Sequence, residues 1–204
     1  YRMHRDAALA GSAANRVHQG CLADAGFAAH DDSATVPAIG ASVEGRKNHQ
    51  LLLNIWRGLL SDLKKTAPKL VIVGQRGWQA DRVFEQLDRL DGLHGRVLEI
   101  GSCDDIELAE WIAGARALLM PSFAEGFGLP VLEALSLGTP VIASDLPVYR
   151  EIAGEVPTYL DPGDGAAWRR AIEDFASDGS ERERQIGATA EFRAPTWNEH
   201  FAKV

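Results

Sequence analysis

Cysteine is nearly missing from this sequence. Cys21 and Cys103 stand far apart, with no CxxC pair and no Cys/His cluster. That excludes a disulfide framework and a thiolate zinc site, and it suits a reducing compartment with one disulfide still open. The six histidines (His4, His18, His30, His49, His94 and His200) show no metal-ligand spacing. No apolar run is long enough to cross a bilayer, and no leader peptide is recognisable. Positive charge is also scarce: 21 Lys and Arg against 29 Asp and Glu give a net charge of −8. That balance speaks against nucleic acid or an anionic membrane as a partner of the whole surface, and leaves open local basic spots for a small anion. Gly-x-Ser-x-Gly, HExxH and P-loop strings are absent, so serine hydrolysis, zinc proteolysis and P-loop phosphoryl transfer find no support.

What is present is an alternation of apolar runs. The first forty residues, rich in Ala, Gly, Ser and Asp, offer one helix candidate at 15–26 and a loop at 30–38. Asn48 then reads as the N-cap of a helix running to about Lys65, with Leu52, Ile55, Trp56, Leu59, Leu60 and Leu63 at helical spacing. Strands are expected at 69–73, 96–100, 117–120, 141–144 and 158–160. Helices are expected at 80–90, 104–113, 130–137 and 165–176, with a turn near 148–152 and a polar helical tail from Glu181. Strands alternating with helices over some 150 residues indicate an α/β fold with a doubly wound parallel sheet. Such sheets bind ligands beyond the carboxyl ends of their strands, where the loops 74–77, 101–103, 121–128 and 144–145 should line one rim. The five tryptophans mostly fall at core or docking spacing.

The rim loop with the most chemistry is Pro121–Pro140, PSFAEGFGLPVLEALSLGTP. It joins an apolar strand to an apolar helix whose start Pro130 signals. Gly126 and Gly128 let backbone approach a ligand, and a helix start offers N–H groups and a positive dipole end to a phosphate. Glu125 precedes the glycines. Glu133 lies one turn into a helix otherwise made of apolar residues, where a buried charge needs a partner. By itself, Gly-x-Gly more often marks a plain turn followed by a Glu that suits the helix dipole, and it is the full twenty-residue string that reverses this. Asp104-Asp105 reads as a helix cap rather than a metal site.

EGFGLPVLEA followed by GTPVIAS closely resembles the E-x7-E segment of retaining glycosyltransferases with two Rossmann-like domains, known as GT-B, group 1, family four. KLVIVGQRGW (69–78) and SVEGRKNH (42–49) resemble two further segments of that family, in the expected order. The resemblance covers roughly residues 40–204 and implies the donor-binding C-terminal domain. Residues 1–41 would then be a remnant of an N-terminal domain or hinge, 42–190 the nucleotide-sugar-binding domain, and 191–204 a C-terminal helix docking on the absent domain.

The resemblance implies that Glu125 faces the donor sugar and stabilises charge at the reacting carbon, while Glu133 holds the ribose hydroxyls. Backbone N–H groups of Gly126, Phe127, Gly128 and Leu129 would meet the diphosphate or the sugar, and Lys47 with Arg46 would neutralise the diphosphate. Gly74, Arg76, Ser102 and Cys103 are candidates for a base or phosphate loop, with Arg76 open between that role and a surface one. No metal or other cofactor is implied, because cations and helix ends take its place.

The implied reaction transfers a hexose such as mannose from a nucleoside diphosphate to a glycan or lipid-linked acceptor, in the cytoplasm or at the periphery of the inner membrane. Membrane contact would come only through the absent domain. A chain that opens at Tyr1 without Met is expected to be a fragment, incomplete for catalysis alone. The alternative is a non-catalytic nucleotide-binding or subunit-docking module.

Two departures from the family pattern stand out. Many members carry an Arg five residues before the phosphate Lys, where this chain has Ser42, so Arg46 would have to substitute. VPAIGA (36–41) resembles a segment that usually precedes the domain by a few dozen residues. Its direct junction with SVEGRKNH implies a deletion or a gap, and a missing first strand fits the gap.

Overall fold

The computed structural model describes residues 35–89, 93 and 95–194. The helix expected at 15–26, and Cys21, Trp197, Phe201 and Val204, lie outside the described residues. Strands β1 (Thr35–Val43), β2 (Lys69–Arg76) and β3 (Val97–Ile100) form one parallel sheet in the order β1-β2-β3. Strands β4 (Leu118–Met120), β5 (Val141–Ser144) and β6 (Thr158–Leu160) form a second parallel sheet in the order β4-β5-β6. The two meet along β1 and β4, where the N–H of Arg116 donates to the Thr35 carbonyl at 2.8 Å. Together they run β3-β2-β1-β4-β5-β6, the Rossmann order, whose reversal point lies between β1 and β4.

The helices are α1 (His49–Leu63), α2 (Asp81–Arg89), α3 (Asp105–Ala113), α4 (Leu129–Ser136), α5 (Pro147–Ala153), α6 (Gly165–Ala176) and α7 (Ser180–Glu191). α1 packs on α2 and α6, while α4 packs on α3 and α5, so the sheet separates two helical layers. The core between them is aliphatic and aromatic, with Trp56, Trp168, Phe175 and Leu70 fully buried. This matches the doubly wound expectation, because strands covered on both faces read as continuous apolar runs. β2 is buried from Lys69 through Gly74.

The structure differs from the sequence reading at four places. Val36–Ala41 is not a hinge ahead of a domain lacking its first strand; it belongs to that strand. β1 pairs with β2 from Thr35↔Lys69 to Val43↔Arg76, and between Ile39 and Ser42 two residues of β1 face one of β2. This bulge absorbs Gly40-Ala41, which interrupt the β-branched pattern that would have marked a strand.

Next, β2 does not stop at Gly74. It runs to Arg76 because β1 continues beside it, so the Gly74–Gly77 loop is shorter than expected. α1 ends at Leu63, where Lys64 turns to φ 51°, and Leu63 is exposed while Leu53 takes a place in the core. Finally, α7 ends at Glu191 and Phe192 is extended, so 192–194 are not helical.

Candidate functional site

Parallel strands deliver the loops after β1 and β4 to the same rim, and hydrogen bonds lock the two together. Asn48 follows β1 in the left-handed region (φ 55°), and its side chain caps nothing. Instead Nδ2 donates to the carbonyls of Pro121 (3.2 Å) and Pro162 (3.1 Å), pinning the loops after β4 and β6. The N–H of Phe123 donates to the Arg46 carbonyl (2.8 Å), and Arg46 Nη1 to the Ala124 carbonyl (3.0 Å).

Glu125 is held inside this lock. Arg46 Nη1 donates to Oε2 at 2.7 Å, Ser122 Oγ to Oε1 at 3.1 Å, and the side chain is only 10% exposed. The Arg46 Nε meanwhile donates to Glu44 Oε2 at 2.8 Å. These two carboxylates, Glu125 first, push the Arg46 guanidinium above its already high range. The hydroxyl of Ser42 donates to Glu44 and is the main cause holding that buried carboxyl below the usual range. Ser42 thus supports Glu44, while the half-exposed Arg46 is the cation at Glu125.

Lys47 is buried, and its ammonium forms no hydrogen bond or ion pair with a described residue. Burial lowers its pKa, with Glu125 and Glu44 partly opposing. A desolvated ammonium beside carboxylates it does not touch is placed to take up an anion.

The start of α4 completes the site. Gly128 is its N-cap at φ 83°, and a Cβ added there would lie 2.7 Å from the Tyr149 ring. Tyr149, fully buried in α5, therefore fixes how α4 enters the sheet edge. Nothing lies within 4 Å of a Cβ at Gly126, so the fold does not need glycine there, and the space above it is open to a ligand. Phe127 is half-buried and Leu129 is exposed. Pro130 carries no N–H and the Val131 N–H donates to the Gly128 carbonyl at 3.0 Å, so with no side-chain cap it is the Leu129 N–H at the start of α4 that keeps its donor capacity.

Glu133 stands further along α4, half-buried, and its carboxylate makes no hydrogen bond to a described residue. Burial, and then Asp105 at the start of α3, raise its pKa. Ser102 (exposed) and Cys103 (half-buried) precede α3, so they share this side of the rim with Glu133. Asp104 is indeed a cap, accepting from the N–H groups of Ile106 and Glu107 in a capping box.

Two candidates lie elsewhere. Gly74 is inside β2. Arg76 is occupied by Glu99 and Asp88 and lies over the Phe84 ring at 5.1 Å. The sequence reading missed the parts played by Glu44, Asn48, Ser122 and Tyr149. It also missed His49, which is 4% exposed, has an unpartnered Nδ1, and has its pKa lowered to about 4 by burial and then by Lys47. Of these, only the RKNH string gave any local signal. Among the described residues, no three His, Cys, Asp or Glu side chains gather as a metal site, and no helix is long and apolar enough to cross a membrane.

A family model described as "Glycosyl transferases group 1" matches residues 28–192. The chain belongs to the group 1 glycosyltransferases. This glycosyltransferase chain is 35% identical over 142 residues to the O-antigen chain mannosyltransferase B of Escherichia coli, covering 70% of the chain and 37% of that relative. It is 34% identical over 161 residues to the phosphatidyl-myo-inositol mannosyltransferase of Mycobacterium leprae, covering 77% and 41%. It therefore spans about two fifths of the length of these relatives.

Among solved structures, the C-terminal domain of a glycosyl transferase group 1 family protein (LpcC) from Francisella tularensis aligns with a TM-score of 0.65 at 21% identity, covering 78% of this chain and 83% of that one. WaaG, a glycosyltransferase involved in lipopolysaccharide biosynthesis, aligns with a TM-score of 0.65 at 20% identity, covering 94% and 47%. These likenesses show the glycosyltransferase fold, and the first extends over most of an isolated C-terminal domain.

Proposed function

We propose that this chain is the donor-binding half of a retaining glycosyltransferase that moves a hexose, with mannose favoured by the relatives' names, from a nucleoside diphosphate to a glycan or lipid-linked acceptor. The observation that carries the reading is the Lys47–Arg46–Glu125 group at the open start of α4. Glu133 would accept hydrogen bonds from the ribose hydroxyls on the α3 side. Lys47 and the backbone N–H groups from Gly126 to Leu129 would hold the diphosphate, and Glu125, oriented by Arg46 and Ser122, would face the hexose.

In the transfer, the bond from the anomeric carbon to the phosphate oxygen breaks and its electron pair leaves with the diphosphate. The acceptor hydroxyl oxygen bonds to that carbon on the same face, and its proton goes to the departing phosphate oxygen. Fixed positive groups aimed at the leaving oxygens lower the barrier without reorganising. The chain's own cations supply that charge, so donor binding needs no metal. The acceptor's other contacts fall to a domain beyond this chain, in the cytoplasm or at the inner membrane's periphery.

Calorimetry with GDP and UDP tests this. Binding of one of them in the micromolar to millimolar range is expected, and Lys47→Ala should weaken it by about tenfold or more, the cost of a lost charge-assisted contact. Absence of nucleotide binding at millimolar concentration would sink the reading.

A further inference from the structure

Beyond the donor site, on the α1–α2 face of the rim, lies a cleft of about 470 Å³ that the roles above leave unused. It is walled by the loop after β1, the start of α1 and the start of α2, and Phe123 reaches it from the loop after β4. Its volume is in the range of small-molecule sites, about 300–1,000 Å³. Three observations set it apart from a surface crease.

Aromatic surface is exposed where the fold does not need it. Trp56, Trp111 and Trp168 are buried, yet Trp78, next to the lining residue Gln79, is 67% exposed, and Phe123 is 56% exposed. Polar groups in the same place are uncommitted. The side chains of Gln79, Asp81 and Arg82 line the cleft and make no hydrogen bond to a described residue, nor does the Trp78 indole N–H. The backbone is also held in an unusual shape. Asn48 and Gln79, two of the three non-glycine residues with positive φ among the described residues, both line the cleft. Gly45 makes room for it, since a Cβ there would collide with the Gln79 carbonyl oxygen. Strained residues of this kind cluster at ligand sites because surrounding structure must over-determine them.

Flat aromatic faces beside an amide, a carboxylate and a guanidinium, with the charges mixed, suit a neutral sugar. A pyranose lays its C–H face on an aromatic ring and offers adjacent hydroxyls to planar polar groups. A phosphate would meet Glu44 and Asp81 as repulsion, and an apolar ligand would strand the polar groups.

Position agrees with the chemistry. Glu133 and the α3 start lie in one helical layer, while α1 and α2 lie in the other. A donor with its ribose at Glu133, its diphosphate at Lys47 and its hexose at Glu125 would end beside this cleft. Glu44, which lines the cleft, is joined through Arg46 to Glu125.

We propose that the cleft between the starts of α1 and α2, flanked by Phe123 and Trp78, is a subsite for a neutral sugar residue of the acceptor glycan. This rests on the glycosyl-transfer reading. The 204-residue chain, labelled with nitrogen-15, is titrated with α-linked mannobiose and mannotriose, and separately with GDP and UDP. The expected result is weak sugar binding, with the Trp78 indole and Gln79 amide resonances moving most. Trp78→Ala and Arg82→Ala, both at exposed positions, should each weaken sugar binding at least fivefold and change nucleotide affinity less than twofold. Sugar binding unaltered by both substitutions, or no movement of residues 77–83 at saturating mannotriose, would overturn the subsite. A loss of nucleotide binding alone would count against the donor reading instead, so the two failures are distinguishable.

Discussion

Glycine at position 128 and glycine at position 126 look alike in the sequence and do different things. Gly128 is bound by a positive φ and by the Tyr149 ring, so Gly128→Ala should cost about 2–4 kcal/mol in urea unfolding. Gly126→Ala should leave unfolding nearly unchanged and weaken nucleotide binding, since only a ligand would meet the new methyl group. Equal loss of stability in both variants would contradict this division. His49 sets a pH dependence. Its pKa falls to about 4 in the folded chain, against about 6.5 unfolded, so the unfolded chain binds the extra proton between those values. The stabilisation is complete above about pH 6.5 and is lost as pH falls towards 4, amounting to about 3 kcal/mol for a group this buried. Chemical unfolding between pH 4 and 7 checks it, and His49→Asn should flatten that part of the profile.

Among elements, the decisive one is the short segment between β1 and α1. Its Asn48 occupies the place of a helix cap and serves as a clasp on two other loops. Asn48→Ala leaves two carbonyls without a donor and puts a methyl-bearing residue at positive φ, so a loss of about 2–3 kcal/mol is expected. Asn48→Gly keeps the backbone shape and should cost less. In both, nucleotide affinity should fall at least tenfold as the Arg46 and Glu125 loops part. If affinity holds while stability drops, the clasp is structural only. The start of α3 was readable from the sequence because capping is local, as Asp104 shows. The extent of β2 was not, because β1 beside it, rather than its own glycine, decides where pairing stops.

For the whole molecule, the rim at the carboxyl ends of the strands is where the chemistry gathers. The chain spans about two fifths of the length of two curated relatives, and its candidate site and cleft both open from the carboxyl ends of the strands. We expect the 204-residue chain to bind GDP or UDP equally well with and without EDTA, since Lys47, Arg46 and the α4 start supply the positive charge. A hundredfold loss of affinity on chelation would show that a metal carries that charge instead. Mannosyl transfer by this chain alone should be slight, as measured with radiolabelled GDP-mannose and mannotriose.

The sequence by itself determined the family and the doubly wound fold, because apolar periodicity and the EGFGLPVLEA string are properties of contiguous residues. Tertiary structure alone decided that Val36–Ala41 is the first strand, since Gly40-Ala41 hides a bulge that only pairing with β2 reveals. It also decided that Arg76 is spent on Glu99 and Asp88, while Arg46 reaches Glu125 across 79 positions of chain. An ion pair is set by where side chains end in space, and local spacing holds no record of that.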